Sequence, residues 1–259
     1  MSRSNNTEIK NPAKYFLEWM GETGGFKYYN KETKEQIPIP LPFKFIVLDT
    51  LSTIKGWSDA DQSGYWSNEV RDLKKESFTV RTKKGIVEEG LYADIHPRMA
   101  GAKYCQSVYI LMKEGDAYIM ANIQIHGAAL GSWIDYRKKN KIYEGGIQVK
   151  TFIDAKKGKT EYKIPTWEAI PVSEESDALA KDEDKKLQEY LKAYFERNSI
   201  PKEDLPPAEK IYVDKEREEW HEMEATRKTR QLADEKNIAD EILQPNPFTP
   251  NDDQDDLPF

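Results

Sequence analysis

Residues Lys103–Ile125 read KYCQSVYILMKEGDAYIMANIQI, and this stretch decides the fold class. In its second half, Ala117–Ile125, every odd-numbered residue is apolar and the residues between them are mostly polar. Such alternation is typical of a β-strand with one face on a core and the other exposed. The first half, Lys103–Met112, also alternates, and the intervening Lys113–Asp116 is a good hairpin turn. The sequence therefore predicts an antiparallel hairpin near the middle of the chain.

The segments before this hairpin predict further strands. Leu41–Trp57 is the strongest, and its apolar residues on both faces predict a long, central, strongly bent strand. Ser77–Lys83 predicts another strand, and Trp57–Trp66 (WSDADQSGYW) predicts a polar loop between the two. Glu69–Lys75 fits a short helix.

The N-terminal segment predicts a small unit closed by prolines. Ala13–Trp19 carries aromatic residues at helical spacing, so a helix is expected there. Phe26–Tyr29 and Glu35–Ile39 predict the two strands of a hairpin.

The segments after the central hairpin complete a recognisable order of elements. Gly127–Lys139 changes to helical period, and Gly146–Asp154 and Thr160–Ala169 predict two more strands. Strands, then a helix, then two strands is the order of the OB-fold, a five-stranded Greek-key barrel that binds oligonucleotides. We therefore expect a mainly β protein: an OB-fold-like five-stranded barrel with an added N-terminal hairpin, followed by α-helical C-terminal segments and a disordered acidic tail.

Composition divides the chain into four regions. We expect a disordered N-terminus at 1–10, the OB-fold domain at 11–172, a helical C-terminal region at 173–244 and a disordered acidic tail at 245–259. Within the helical region, Ser176–Arg197 predicts a helix with an apolar stripe that must pack on something.

A second, highly charged helix is predicted at Ala208–Leu243. Its sparse apolar face leaves three arrangements open: docking on the body, pairing with a second copy to give a homo-oligomer, or standing partly free.

The charge is distributed unevenly along the chain. Residues 1–170 carry 26 Lys and Arg against 21 Asp and Glu, a sum of +5, whereas residues 171–259 carry 13 against 25, a sum of −12. A mildly basic body joined to an acidic arm points toward nucleic acid on one side. The sequence contains no long apolar run, so we expect neither a secreted nor a membrane-spanning protein. The single cysteine, Cys105, indicates a reducing compartment.

Motifs that would indicate catalysis or a cofactor are missing from the sequence. It holds no Gly-rich phosphate loop, no H-E-x-x-H, no G-x-S-x-G and no Cys/His spacing suited to zinc. We therefore expect no enzymatic activity, no cofactor and no metal site.

Capture of a single nucleic-acid strand needs cations for the phosphates and aromatic faces for the bases. The segment Arg137–Lys163 holds nine cations against three acids, with aromatic residues interleaved. Further candidates lie on the predicted strands and in the Trp57–Trp66 loop. The proposed DNA-binding residues are Trp57, Tyr65, Trp66, Arg81, Lys83, Tyr109, Tyr118, Lys139, Lys150, Phe152, Lys156 and Lys157.

The last fifteen residues, Pro245–Phe259, combine four Asp and four Pro with an apolar tip. Prolines at this spacing prevent regular secondary structure. Four carboxylates followed by Leu-Pro-Phe suit a peptide ligand for a basic pocket with an apolar floor, and the alternative is an ordinary solubilising terminus. The partner-binding residues of this tail would be Asp252, Asp253, Asp255, Asp256, Leu257, Pro258 and Phe259.

The tip Asp252–Phe259 resembles the tail of bacterial and phage single-stranded DNA-binding proteins, and the chain is most similar to the longer phage-encoded kind. The resemblance implies a protein that coats and protects unwound DNA without sequence specificity during replication, recombination and repair. It implies that residues 11–172 bind single-stranded DNA and that the tail recruits replication and recombination proteins. It also implies a cytoplasmic location, in the bacterial cell or the phage-infected host.

Two other classes of function remain open at this point. In the first, the acidic arm is the working part, and the protein is an interaction adaptor or DNA mimic that binds a basic protein partner rather than DNA. In the second, the protein is a nuclease or another enzyme acting on DNA.

Overall fold

The computed structural model describes residues 10–199. The proposed disordered N-terminus at 1–10, apart from Lys10, lies outside this range, as do the Ala208–Leu243 helix and the tail at 245–259. The central hairpin is present as Ala102–Glu114 and Ala117–Ile125, paired antiparallel.

The described chain is mainly β, as predicted, with eleven strands and three α-helices. The strands are β1 (Tyr15–Trp19), β2 (Phe26–Asn30), β3 (Glu35–Ile39), β4 (Phe43–Ser58), β5 (Ser63–Ser67), β6 (Phe78–Thr82), β7 (Gly85–Gly90), β8 (Ala102–Glu114), β9 (Ala117–Ile125), β10 (Gly146–Lys157) and β11 (Thr160–Ile170). The helices are α1 (Tyr92–Ile95), α2 (Ala128–Lys139) and α3 (Glu174–Ser199).

Strand β4 is the longest strand and the one on which three others pair. One of its edges pairs with β8 from Phe45 to Gly56. Its other edge is divided, because β10 pairs with Phe43–Phe45 and β5 pairs with Lys55–Ser58. A β-bulge between Val47 and Asp49 interrupts the β4–β8 register, and bulges bend the strand that carries them. The prediction of a long, central strand is therefore confirmed.

The expected five-stranded barrel is not what the described residues form. All eleven strands belong to one open, mixed sheet in the order β3-β2-β1-β9-β8-β4-β5-β6-β7, with β10 and β11 attached to β4. The free edge of β9 is occupied by β1, which pairs with it in parallel. Closing a five-stranded barrel would require β11 to pair with β9. Within the described residues, β1 occupies that edge of β9 instead.

The first core lies between one face of the sheet and α2. Its centre contains Val108, Ile110 and Ile123 from the central hairpin, with Trp133 of α2 fully buried against them. The Trp133 indole donates a hydrogen bond of 2.7 Å to Gln106, which satisfies its polar atom inside the core.

The second core lies on the opposite face of the same strands, beneath α3. Leu187 and Leu191 of α3 are fully buried against Tyr109 and Leu111 of β8. The sequence predicted that this face is exposed, and for this part of the sheet the prediction is wrong. The apolar stripe of α3 finds its partner here, since burying it against the sheet removes its apolar surface from water.

Three local predictions are also corrected. Ala13–Trp19 is not a helix, because Tyr15–Glu18 pair with β9 and strand β1 buries alternate side chains. Glu69–Lys75 is not a helix either, because Val70 forms a bridge with Ser52. Most of the expected Trp57–Trp66 loop is strand, and only a short turn joins β4 to β5.

No helix within residues 10–199 combines the length and the apolar composition that a bilayer crossing requires.

Gly24, in the turn between β1 and β2, provides a test of how this turn packs on the β10–β11 hairpin. Its φ is +74°, and a Cβ at this position would lie 2.5 Å from Cδ1 of Phe152. We expect Gly24→Ala to lower the free energy of unfolding by about 2–3 kcal/mol, through backbone strain and overpacking together. Urea unfolding measures the change.

Gly115→Ala is the matched control, because Gly115 has a φ of +60° and nothing within 4 Å of an added Cβ. The free energy of unfolding of this variant should fall by only about 1 kcal/mol, from backbone strain alone. Equal losses in the two variants would show that the added methyl group does not overpack against Phe152.

Candidate nucleic-acid interface

A third, smaller core fixes the sheet beyond the divided edge of β4. Phe78 and Val80 of β6 point inward and are fully buried with Ile54 of β4 and Ile95 of α1. Because side chains alternate along a strand, Arg81 of β6 points to the opposite face.

On that opposite face, four residues form a row across four adjacent strands. Arg81 of β6 pairs with Trp66 of β5, Trp66 pairs with Lys55 of β4, and Lys55 pairs with Lys103 of β8. Directly paired residues of antiparallel strands share a face, and the strands are about 4.8 Å apart. We call Arg81, Trp66, Lys55 and Lys103 the cationic row; it places three cations and one indole within about 15 Å.

Side-chain contacts hold the row in place. The guanidinium of Arg81 lies 5.2 Å from the centre of the Trp66 ring, a cation–π geometry. Lys55 donates a hydrogen bond to the side-chain oxygen of Gln124 on β9. Lys103 is exposed and forms no ion pair within the described residues.

Trp57 extends the row by one position along β4. It lies two residues after Lys55, so both side chains point to the same face. Its direct partner on β5 is Gly64, which has no side chain to cover the indole from that strand. The sequence-predicted residues Trp57, Trp66 and Arg81 are therefore neighbours. Lys83 follows β6 in the adjacent turn, where its ammonium donates a hydrogen bond of 3.2 Å to the Gln62 carbonyl.

Two of the proposed aromatic residues are buried and offer little or no ring surface for stacking. Tyr65 is 8% exposed and belongs to the third core. Tyr109 was expected to be an exposed platform, and this expectation is wrong, because α3 covers it completely. Tyr118 is 40% exposed, and its hydroxyl is 2.8 Å from that of Ser176 at the start of α3.

The remaining predicted residues lie in another part of the molecule. Lys150, Lys156 and Lys157 are exposed along β10, which joins β4 at its opposite end. Lys156 forms an ion pair of 3.1 Å with Glu161 on the neighbouring strand. Lys139 is exposed at the end of α2. These cations do not form one continuous surface with the cationic row.

The proposed shared face of Lys150 and Phe152 is not observed. A β-bulge between Val149 and Phe152 breaks the alternation of β10. Phe152 instead packs against the first core, and the Lys163 ammonium lies 4.7 Å from the centre of its ring. Its role in the described structure is therefore packing.

Lys55 and Lys103 are the members of the cationic row that the sequence reasoning did not identify. Both lie on predicted strands, but only the pairing of β4 with β8 brings them together. A residue count along a single strand does not reveal which strand lies beside it.

Beside the cationic row, a buried polar network joins the sheet to α3. The Glu69 carboxylate accepts hydrogen bonds from the hydroxyls of Ser107 and of Tyr109, the latter at 2.9 Å. The backbone N–H of Glu69 donates to the hydroxyl of Tyr194 on α3 at 2.7 Å. Burial raises the pKa of Glu69, and the hydrogen bonds from the two hydroxyls partly oppose this shift.

Residues 10–199 contain no group of three or more His, Cys, Asp or Glu side chains arranged to hold a metal ion. The proposed partner-binding residues Asp252–Phe259 lie outside the described range.

No protein-family model matches the chain, and neither a curated protein nor a solved structure matches it.

The position of Glu69 predicts a pH dependence of stability. Its ordinary pKa is 4.5 and the folded protein raises it, so the folded state holds this proton more tightly than the unfolded chain does. The Glu69 contribution is therefore most favourable below pH 4.5 and is lost as the pH rises through the raised pKa. We expect the free energy of unfolding of the wild type, relative to Glu69→Gln, to fall across this window in urea titrations.

Glu32→Gln serves as the control, because Glu32 is exposed in the turn between β2 and β3. Its stability should follow that of the wild type at every pH. A Glu69→Gln curve that is also parallel to the wild type would contradict the predicted role of the buried carboxylate.

Proposed function

We propose that this protein binds single-stranded DNA without sequence specificity and coats it during replication, recombination and repair. The observation that carries the proposal is the cationic row, in which three cations flank an indole on one face of the sheet. Cations at this spacing suit consecutive phosphates, and base–aromatic stacking contributes about 1–3 kcal/mol per base for any sequence.

The pattern of strand pairing supports an OB-like interpretation of the body. In chain order, β4, β8, β9, α2, β10 and β11 give three strands, a helix and two strands. Strand β4 pairs with β8 and β10, β8 with β9, and β10 with β11. In our interpretation β5–β7 are an insertion after the first strand of this unit, and they supply part of the binding surface, as loops do in OB-folds.

The acidic segment 245–259 has a second role in this proposal. Its four carboxylates and terminal Phe259 would bind a basic, apolar-floored pocket on replication and recombination proteins. The protein would act in the cytoplasm of a bacterial cell or phage-infected host, and it would act by binding rather than by catalysis.

Titration with oligo-dT at two salt concentrations, followed by tryptophan fluorescence, tests the proposal. We expect quenching at low salt and a logarithmic salt slope of about −0.7 for each phosphate neutralised. Lys55→Ala and Lys103→Ala should each weaken binding and remove roughly one phosphate contact from that slope. Trp66→Phe, which retains a ring, should keep most of the affinity that Trp66→Ala loses.

Lys181→Ala is the matched control, because Lys181 is exposed near the start of α3, which lies beside Tyr118 at the far end of the central hairpin from the row. It should leave both affinity and slope unchanged. Absence of quenching at low salt, or an affinity indifferent to salt, would refute the proposal. Tight binding of a basic protein without any oligonucleotide binding would favour the adaptor or DNA-mimic alternative.

The acidic segment should also compete with DNA for the body. Because its charges are opposite to those of the cationic row, removing residues 245–259 should strengthen oligo-dT binding at low salt. The gain should shrink as salt rises, since screening acts over about 10 Å at 0.1 M. Identical affinities of the full and shortened chains at low salt would exclude this competition.

A further inference from the structure

The cationic row continues toward the N-terminal hairpin through a single side-chain contact. Lys55 of β4 hydrogen-bonds Gln124 of β9, so its side chain reaches across the intervening strand β8. Gln124 pairs with Glu18 of β1, and Glu18 pairs with Lys27 of β2. Because paired residues share a face, these side chains lie on the same face of the sheet as the row.

Two aromatic residues flank this continuation. Phe16 lies two positions before Glu18 on β1, and Tyr29 lies two positions after Lys27 on β2, so both share its face. Phe16 is 40% exposed, whereas Leu17, on the opposite face, is fully buried. The register that pairs Leu17 with Tyr28 brings Phe16 next to Tyr29. Both residues therefore lie on the outer face of the sheet, Phe16 exposed and Tyr29 half-buried.

We propose that Phe16, Lys27 and Tyr29 form a second subsite for the same single strand of nucleic acid, an inference that rests on the proposed function. The rings provide a stacking platform for bases, and the Lys27 ammonium neutralises a phosphate. Glu18 between the two subsites disfavours a phosphate directly above it, so a base lies there.

The combined site runs across seven neighbouring strands, from β6 to β2. Six strand spacings of about 4.8 Å give about 29 Å across the strands. Because Gln124 pairs with Ser107, four residues along β8 from Lys103, the path also shifts by about 13 Å along the strands and is oblique. A path of this length suits an oligonucleotide within the range of about 4–16 nucleotides that one OB-fold binds. Strands β1 and β2 thus determine how much of the nucleic-acid strand is held.

The test compares a short oligo-dT of about 4 nucleotides with a long one of about 12, on the full chain. Phe16→Ala and Lys27→Ala should each weaken binding of the long oligonucleotide by about fivefold or more, and the double variant by more than either. In the same two variants, binding of the short oligonucleotide should change by less than about twofold, because the cationic row holds it. Lys103→Ala, by contrast, should weaken binding of the short oligonucleotide.

Tyr143→Ala is the matched aromatic control, because Tyr143 is 55% exposed and lies outside both subsites. It should leave binding of both oligonucleotides unchanged. If the long oligonucleotide binds with wild-type affinity to Phe16→Ala and Lys27→Ala, the subsite is refuted and the proposed function stands. An equal loss for both lengths also refutes it. If neither oligonucleotide binds to the wild type, the proposed function itself fails.

Discussion

The backbone hydrogen bonds along β4 are the constraint on which the rest of the structure depends. On one edge of this sixteen-residue strand β8 is the single long partner, whereas the other edge serves β10 at one end and β5 at the other. A backbone group left unpaired in the interior would be costly, so each half must recruit its own strand. The division places the β10–β11 hairpin and the β5–β7 strands at opposite ends of β4.

Covering elements then determine which surfaces remain available for binding. Helix α2 closes one face of the central strands and α3 closes part of the other. The Glu69 network beneath α3 ties this helix to both β8 and the segment before β6, so its packing is polar as well as apolar. The part of the second face beyond α3 holds Lys55 and Trp66, which are half-buried.

Much of the fold could be predicted from local pattern, and the site only in part. The alternation of Ala117–Ile125 and the length of β4 required nothing beyond their own residues. The strand at Tyr15–Trp19 could not be predicted in the same way, because its pairing with β9, more than a hundred residues away, overrides its helical spacing. Similarly, Tyr109 is polar at its tip and alternates as an exposed residue would, and only the later helix α3 explains its burial.

The arrangement around Lys55 also determines the chemistry of the chain's one thiol. Cys105 lies on β8 between the strands that Lys55 and Gln124 join, is fully buried, and has its pKa raised to about 12 by that burial. Because the thiolate is the reactive form, we expect this sulfur to react poorly with alkylating reagents while the sheet is folded. A cysteine introduced on the surface could therefore carry a fluorescent or spin label selectively, with the native thiol left in place.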